Sequence, residues 1–116
     1  MYSQNKMLKT YVIDIDGTIC INGNCNTCKY EGSTPIPERI ERINALYDEG
    51  HIIKYFTARG MGRFKDDAEK AKEQFYELTK MQLNLWGCKY HELILGKPSS
   101  DIYIDDKGVN ASDFFN

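Results

Sequence analysis

Apolar residues recur along this chain at two alternating spacings, and the alternation predicts its elements. Residues 10–15, with Tyr11, Val12, Ile13 and Ile15, form a short apolar run that reads as a first strand. Residues 19–34 then turn polar, with Asn22, Gly23, Asn24, Asn26, Gly32 and Ser33, and read as a flap with a small hairpin. Ile36, Ile40, Ile43 and Leu46 lie on one helical stripe, which predicts a helix from Pro35 or Pro37 to Glu49. Proline suits its first turn, and Gly50 suits the position just past its end. Ile52 to Phe56 reads as a second strand ending at Thr57, Ala58 and Arg59, followed by a loop from Gly60 to Arg63. Ala68, Ala71, Phe75, Leu78 and Leu85 predict a helix from about Asp66 to Leu85. Asp66 and Glu69 are spaced as a cap and its reciprocal partner, and Gly87 closes the helix. Leu93–Leu95 reads as a third strand and Ile102–Ile104 as a fourth.

Strands alternating with helices imply a parallel sheet. The expected fold is therefore α/β, a doubly wound parallel sheet with helices on both faces. Residues 1–116 make one domain, with the flap at 19–34. A length of 116 residues suffices for one core and not for two. Hydrophobic residues at 41% and charged residues at 28% are ordinary globular values. A net charge of −2 with no run of Lys or Arg does not favour a nucleic-acid partner. No apolar stretch is long enough to span a membrane, and Met1–Thr10 is polar, so no membrane role is expected and the cytoplasm is the default compartment.

The candidate chemistry sits at the strand ends. The first strand finishes in Asp14, with Asp16 one residue further, Gly17 as a flexible joint and Thr18 offering a hydroxyl. The run at 102–104 likewise finishes in Asp105 and Asp106. Thr57 ends the second strand and Lys97 follows the third. In an open parallel sheet ligands bind at that carboxyl edge, and two acidic strand ends there suggest one cation site. The inventory suits phosphoryl transfer. One carboxylate attacks phosphorus, and a second protonates the leaving alcohol and then activates water. A hydroxyl and an ammonium hold phosphoryl oxygens, and a divalent cation screens the anions from each other.

Asp14-Ile15-Asp16-Gly17-Thr18, then Thr57, then Gly96-Lys97-Pro98, then Asp105-Asp106 resemble the four motifs of the haloacid dehalogenase superfamily of phosphatases. The resemblance spans roughly residues 10–110. It implies that Asp14 is the nucleophile that forms an aspartyl-phosphate and Asp16 the general acid/base. Thr57, Ala58 and Lys97 would bind the substrate phosphate. Asp105 and Asp106 would complete a magnesium site with Asp14 and the Asp16 carbonyl. Asn110 would be a secondary polar contact. Arg59 is read either as a substrate contact or as a solvated arginine. The implied activity is magnesium-dependent hydrolysis of a small phosphorylated metabolite. The run from Trp86 to Asp106 is similar to phosphatases of capsule and polysaccharide synthesis, which points to a sugar phosphate. A bulky or macromolecular phosphoester is the alternative. A receiver-like phosphoacceptor is a further one, although receivers place Lys after a lone central Asp.

Two expectations concern the flap. Cys20, Cys25 and Cys28, spaced C-x4-C-x2-C, would either hold a structural zinc, with Cys88, His51 or His91 as fourth ligand, or remain thiols. Met61 and Phe64 would line the cleft or anchor a loop. A capless site also suggests a homo-oligomer in which flap residues such as Tyr30 approach a partner's cleft.

Overall fold

The computed structural model describes residues 7–23, 29–62 and 65–116. Its elements are β1 (Thr10–Asp14), β2 (Cys20–Ile21), β3 (Thr34–Pro35), α1 (Pro37–Asp48), β4 (Ile52–Thr57), α2 (Ala68–Leu85), β5 (Glu92–Leu95) and α3 (Ala111–Phe114). The three longer strands form one parallel sheet in the order β1-β4-β5, while β2 and β3 pair antiparallel as the small hairpin of the flap. Asp14 lies opposite Phe56, and Thr57 opposite Leu95, so the strands end along one common edge.

Side-chain alternation along these strands decides which face is covered. Ile13, Ile53, Tyr55 and Leu93 pack with Ile40 and Ile43 of α1 and Leu83 of α2. Burying branched aliphatic side chains of this kind stabilises by roughly 1.5–3 kcal/mol each. The β1-α1-β4 and β4-α2-β5 crossovers advance in the same direction through the sheet, and right-handed crossovers then put both helices on one face. Among the described residues the other face is open. Val12 is 59% exposed, Ile52 is 38% exposed, and Lys54 pairs there with Glu92 at 3.5 Å. The described residues thus form a small single-domain α/β fold with a three-stranded parallel sheet, and they show no reversal of strand order.

α1 begins and ends where its stripe places it. Ile36 precedes the first turn, Pro37 opens it, and Gly50 follows with φ +101°. α2 starts one residue later than the cap pattern suggests. Asp67, not Asp66, is the N-cap, accepting from the amides of Glu69 and Lys70. Asp66 instead takes φ +63° and accepts from the amide of Ser99.

The fourth strand does not form. Residues 102–104 make no ladder, and Ile102 and Ile104 are exposed at 74% and 95%. Three apolar residues cannot hold an extended conformation without a neighbour, and the segment is anchored elsewhere: the Tyr103 hydroxyl donates to the Pro98 carbonyl, and the ring lies under the Lys97 ammonium. Further on, Asn110 caps α3 by accepting from the amide of Ser112, which is its role in place of the expected polar contact. Phe114 of α3 packs edge-on against Tyr11, with Arg42 over its ring and Arg39 over the ring of Phe115.

Candidate functional site

At the end of β1 the chain reverses tightly. The amides of Thr18 and Ile19 both donate to the Ile15 carbonyl, and Gly17 takes φ +81° to allow it. The turn brings the Thr18 hydroxyl to Asp14 Oδ2 at 3.3 Å. Lys97 arrives from the end of β5, where its amide donates to the Thr57 carbonyl. Its ammonium lies 3.5 Å from Asp14 Oδ1. Asp14 is only partly open to solvent. Burial raises its carboxyl above the ordinary range; Lys97 opposes that shift and the Asp16 carboxylate adds to it.

Asp16, two residues on, is held from β4. The Thr57 hydroxyl donates to Asp16 Oδ2 at 3.2 Å and accepts from the Arg59 amide at 3.1 Å. Arg59 is fully buried. Its Nε lies 3.1 Å from both Asp16 oxygens, and its Nη2 lies 3.0 Å from Oδ1. Arg59 is therefore not the solvated arginine that the sequence allowed, and its donors are taken up by protein acceptors. Thr57, expected at the substrate phosphate, directs its hydroxyl to Asp16. Ala58 is half-buried in the turn that follows, its carbonyl accepting from the amide of Met61. Met61 is buried and anchors this loop, while Phe64 lies outside the described residues.

The flap packs over this centre from its own chain. Tyr30 meets Phe75 of α2 edge-on at 5.1 Å between ring centroids, and its carbonyl accepts from Gln82 Nε2 at 2.6 Å. Ser33 Oγ donates to Asn22 Oδ1 at 2.9 Å. Tyr30, expected near a partner's cleft, is thus engaged within its own subunit.

Cys20 turns inward, away from the flap surface. Its thiol donates to the Ile15 carbonyl at 3.6 Å and lies 3.7 Å from Asp16 Oδ1. Burial, reinforced by the Asp16 charge, pushes it up to about 12, so it remains a protonated thiol at neutral pH. Cys25 and Cys28 lie outside the described residues. The suggested fourth ligands have other positions. Cys88 lies beside Tyr55 in the core, with its thiol raised by burial to about 11. His51 and His91 accept at Nδ1 from the amides of Lys9 and Ile53.

The second acidic pair is not brought to the first. Asp105 accepts from the amide of Lys107, and Asp106 pairs with the Lys107 ammonium in solvent. Without a strand at 102–104, nothing carries these carboxylates to the sheet edge. Among the described residues no three acidic, histidine or cysteine side chains converge to hold a metal ion. Asp14 and Asp16 thus lie at the sheet edge with the Lys97 ammonium beside Asp14, while Asp105 and Asp106 stay with Lys107.

Sequence reasoning placed Asp14, Asp16, Thr57 and Lys97 together, and it missed Thr79 and Gln82. Both sit on the buried stripe of α2 with Ala71 and Phe75. A polar residue on an otherwise apolar helical stripe signals a buried polar partner, and that partner is Arg59.

No protein-family model and no curated protein matches the chain. Among solved structures, a structural-genomics target protein from Vibrio cholerae has the same fold. It is 28% identical, with a TM-score of 0.81 over 93% of this chain and 88% of that one. None of the described helices is long and apolar enough to cross a membrane.

Proposed function

We propose that the protein is a phosphomonoesterase of the haloacid dehalogenase type, working through an aspartyl-phosphate at Asp14. The observation that carries this reading is the pairing at the sheet edge. Asp14 lies within 3.5 Å of the Lys97 ammonium, and Asp16, two residues away, is aimed by Arg59 and Thr57. A second acid fixed so close to the first has a use in phosphoryl transfer that a binding module would not need.

In the proposed reaction an Asp14 oxygen attacks phosphorus and the P–O bond to the leaving alcohol breaks, while Asp16 donates a proton to that alcohol. Asp16, now a carboxylate, removes a proton from water as the water attacks the aspartyl-phosphate; phosphate leaves and Asp14 is regenerated. Lys97 offsets the negative charge that nucleophile and phosphoryl group bring together. The magnesium requirement belongs to the proposal on the strength of the sequence motifs alone, and no step is assigned to the metal. A small sugar phosphate of polysaccharide synthesis is the proposed substrate.

The test is turnover of a panel of phosphorylated sugars, nucleotides, amino acids and glycerol derivatives, with magnesium and with EDTA. Repeated turnover of at least one ester with magnesium, and its loss in EDTA, is the expected result. Phosphate uptake from a donor without repeated turnover would favour the receiver-like reading instead. No reaction with any ester would remove the phosphatase reading.

A further inference from the structure

The guanidinium of Arg59 faces in two directions. On one side Nε and Nη2 bracket the Asp16 carboxylate at 3.0–3.1 Å. On the other, Nη1 reaches into α2 and donates to Thr79 Oγ1 at 3.1 Å and Gln82 Oε1 at 2.6 Å. Thr79 is itself fixed, its hydroxyl donating back to the Phe75 carbonyl at 2.8 Å. Two flap groups complete the enclosure. Ser33 Oγ lies 3.5 Å from Nη2, and the Tyr30 ring centroid lies 5.0 Å from the guanidinium carbon. A wholly buried cation is tolerated only when it is paired and hydrogen-bonded. A planar fork so held leaves a carboxylate little freedom to rotate.

We propose that Arg59 is a positioning residue for Asp16. It acts through that carboxylate and not on the substrate, and Thr79 and Gln82 of α2 fix its orientation. The inference rests on the phosphomonoesterase reading. Asp16 lies in the turn just before Gly17 and, apart from an isolated bridge to Cys20, belongs to no strand, so its own backbone does little to aim its side chain. Arg59 supplies the missing restraint from the bend after β4, and α2 supplies the restraint on Arg59.

The consequence is specific to proton transfer. A misaimed Asp16 slows release of an alcohol that needs a proton and spares a leaving group that departs as a stable anion. The experiment compares wild type, Asp16→Asn, Arg59→Lys and Gln82→Leu on glycerol phosphate and on para-nitrophenyl phosphate. The first chemical step is read by rapid quench, and folding is checked by circular dichroism. Arg59→Lys and Gln82→Leu should follow Asp16→Asn in pattern. The first step should slow about 10- to 100-fold on the alkyl ester, change little for the nitrophenolate burst, and leave KM near wild type. Gln82 touches Arg59 and not Asp16, so its variant carries the test even where the Arg59 variant fails to fold.

Equal losses on both esters, or a raised KM with kcat intact, would overturn the positioning role while leaving the phosphatase reading in place. A wild type inactive on both esters and on the wider panel would remove that reading, and this role with it.

Discussion

Asp14 is held at a cost. Burial raises its carboxyl above the ordinary range, Lys97 pulls it back and Asp16 raises it further. A carboxyl raised in the folded state binds its proton more readily folded than unfolded. Its favourable contribution to stability is therefore present below the ordinary carboxylate pKa and is lost as pH rises through the folded value. Asp14→Asn removes a charge that the fold disfavours at neutral pH. We expect its melting temperature at pH 7 to exceed that of wild type, with the gap closing below about pH 3.9, while turnover falls by orders of magnitude. Calorimetry across that range checks the sign, and an equal or lower melting temperature at pH 7 would contradict it. At this scale Asp14, Asp16, Thr57 and Lys97 were legible because each follows an apolar run whose end is visible in the sequence. The buried pairing of Arg59 was not, since Thr79 and Gln82 lie 20 and 23 residues away. Polar positions on the α2 stripe announce a buried partner but not which residue it is.

Arg59 is turned inward by the bend that ends β4, and Gly60 makes the bend possible. Gly60 has φ +81°, and a Cβ there would meet Phe75 Cδ2 at 2.7 Å and the Ala71 Cβ at 3.1 Å. Both contacts belong to α2, so the helix sits directly on the glycine. Gly60→Ala should cost about 2–4 kcal/mol in urea unfolding, from backbone strain and overpacking together. A change under about 0.5 kcal/mol, the range of an innocuous surface substitution, would show that bend and helix are not in register. The α1 helix and strands β1 and β4 could be read from spacing because their apolar periods were long enough, and the short run of β5 holds because it pairs along β4. The run at 102–104 had the composition of a strand but only three residues and no pairing to fix it. Its acids, Asp105 and Asp106, therefore remain with Lys107 in solvent. On α2 the predicted stripe was partly misassigned. Leu85 is exposed, and the buried face runs instead through Thr79, Gln82 and Leu83.

Across the whole molecule, α1 and α2 cover one sheet face, and the flap folds onto the α2 of its own chain. An open site had suggested a lid borrowed from a neighbour. Tyr30 contacts Phe75, Arg59 and Gln82 of its own chain, which favours a lid supplied by the same subunit. Each subunit should then be catalytically self-sufficient. Specific activity measured alongside light scattering is expected to stay constant as the protein is diluted through any dissociation. Activity that falls in step with dissociation would restore the shared lid. The sequence could not decide this point, because a polar flap of glycine and asparagine has no apolar period to say which surface it covers.

The central claim is that Asp14 becomes covalently phosphorylated during turnover. Wild-type protein mixed with para-nitrophenyl phosphate, quenched in acid within the first turnover, and mapped by borohydride reduction and mass spectrometry tests it directly. The expected result is a modification at Asp14 that forms as fast as nitrophenolate is released and decays as phosphate appears. Phosphate release without any adduct at Asp14, or at an unchanged rate in Asp14→Asn, would contradict it.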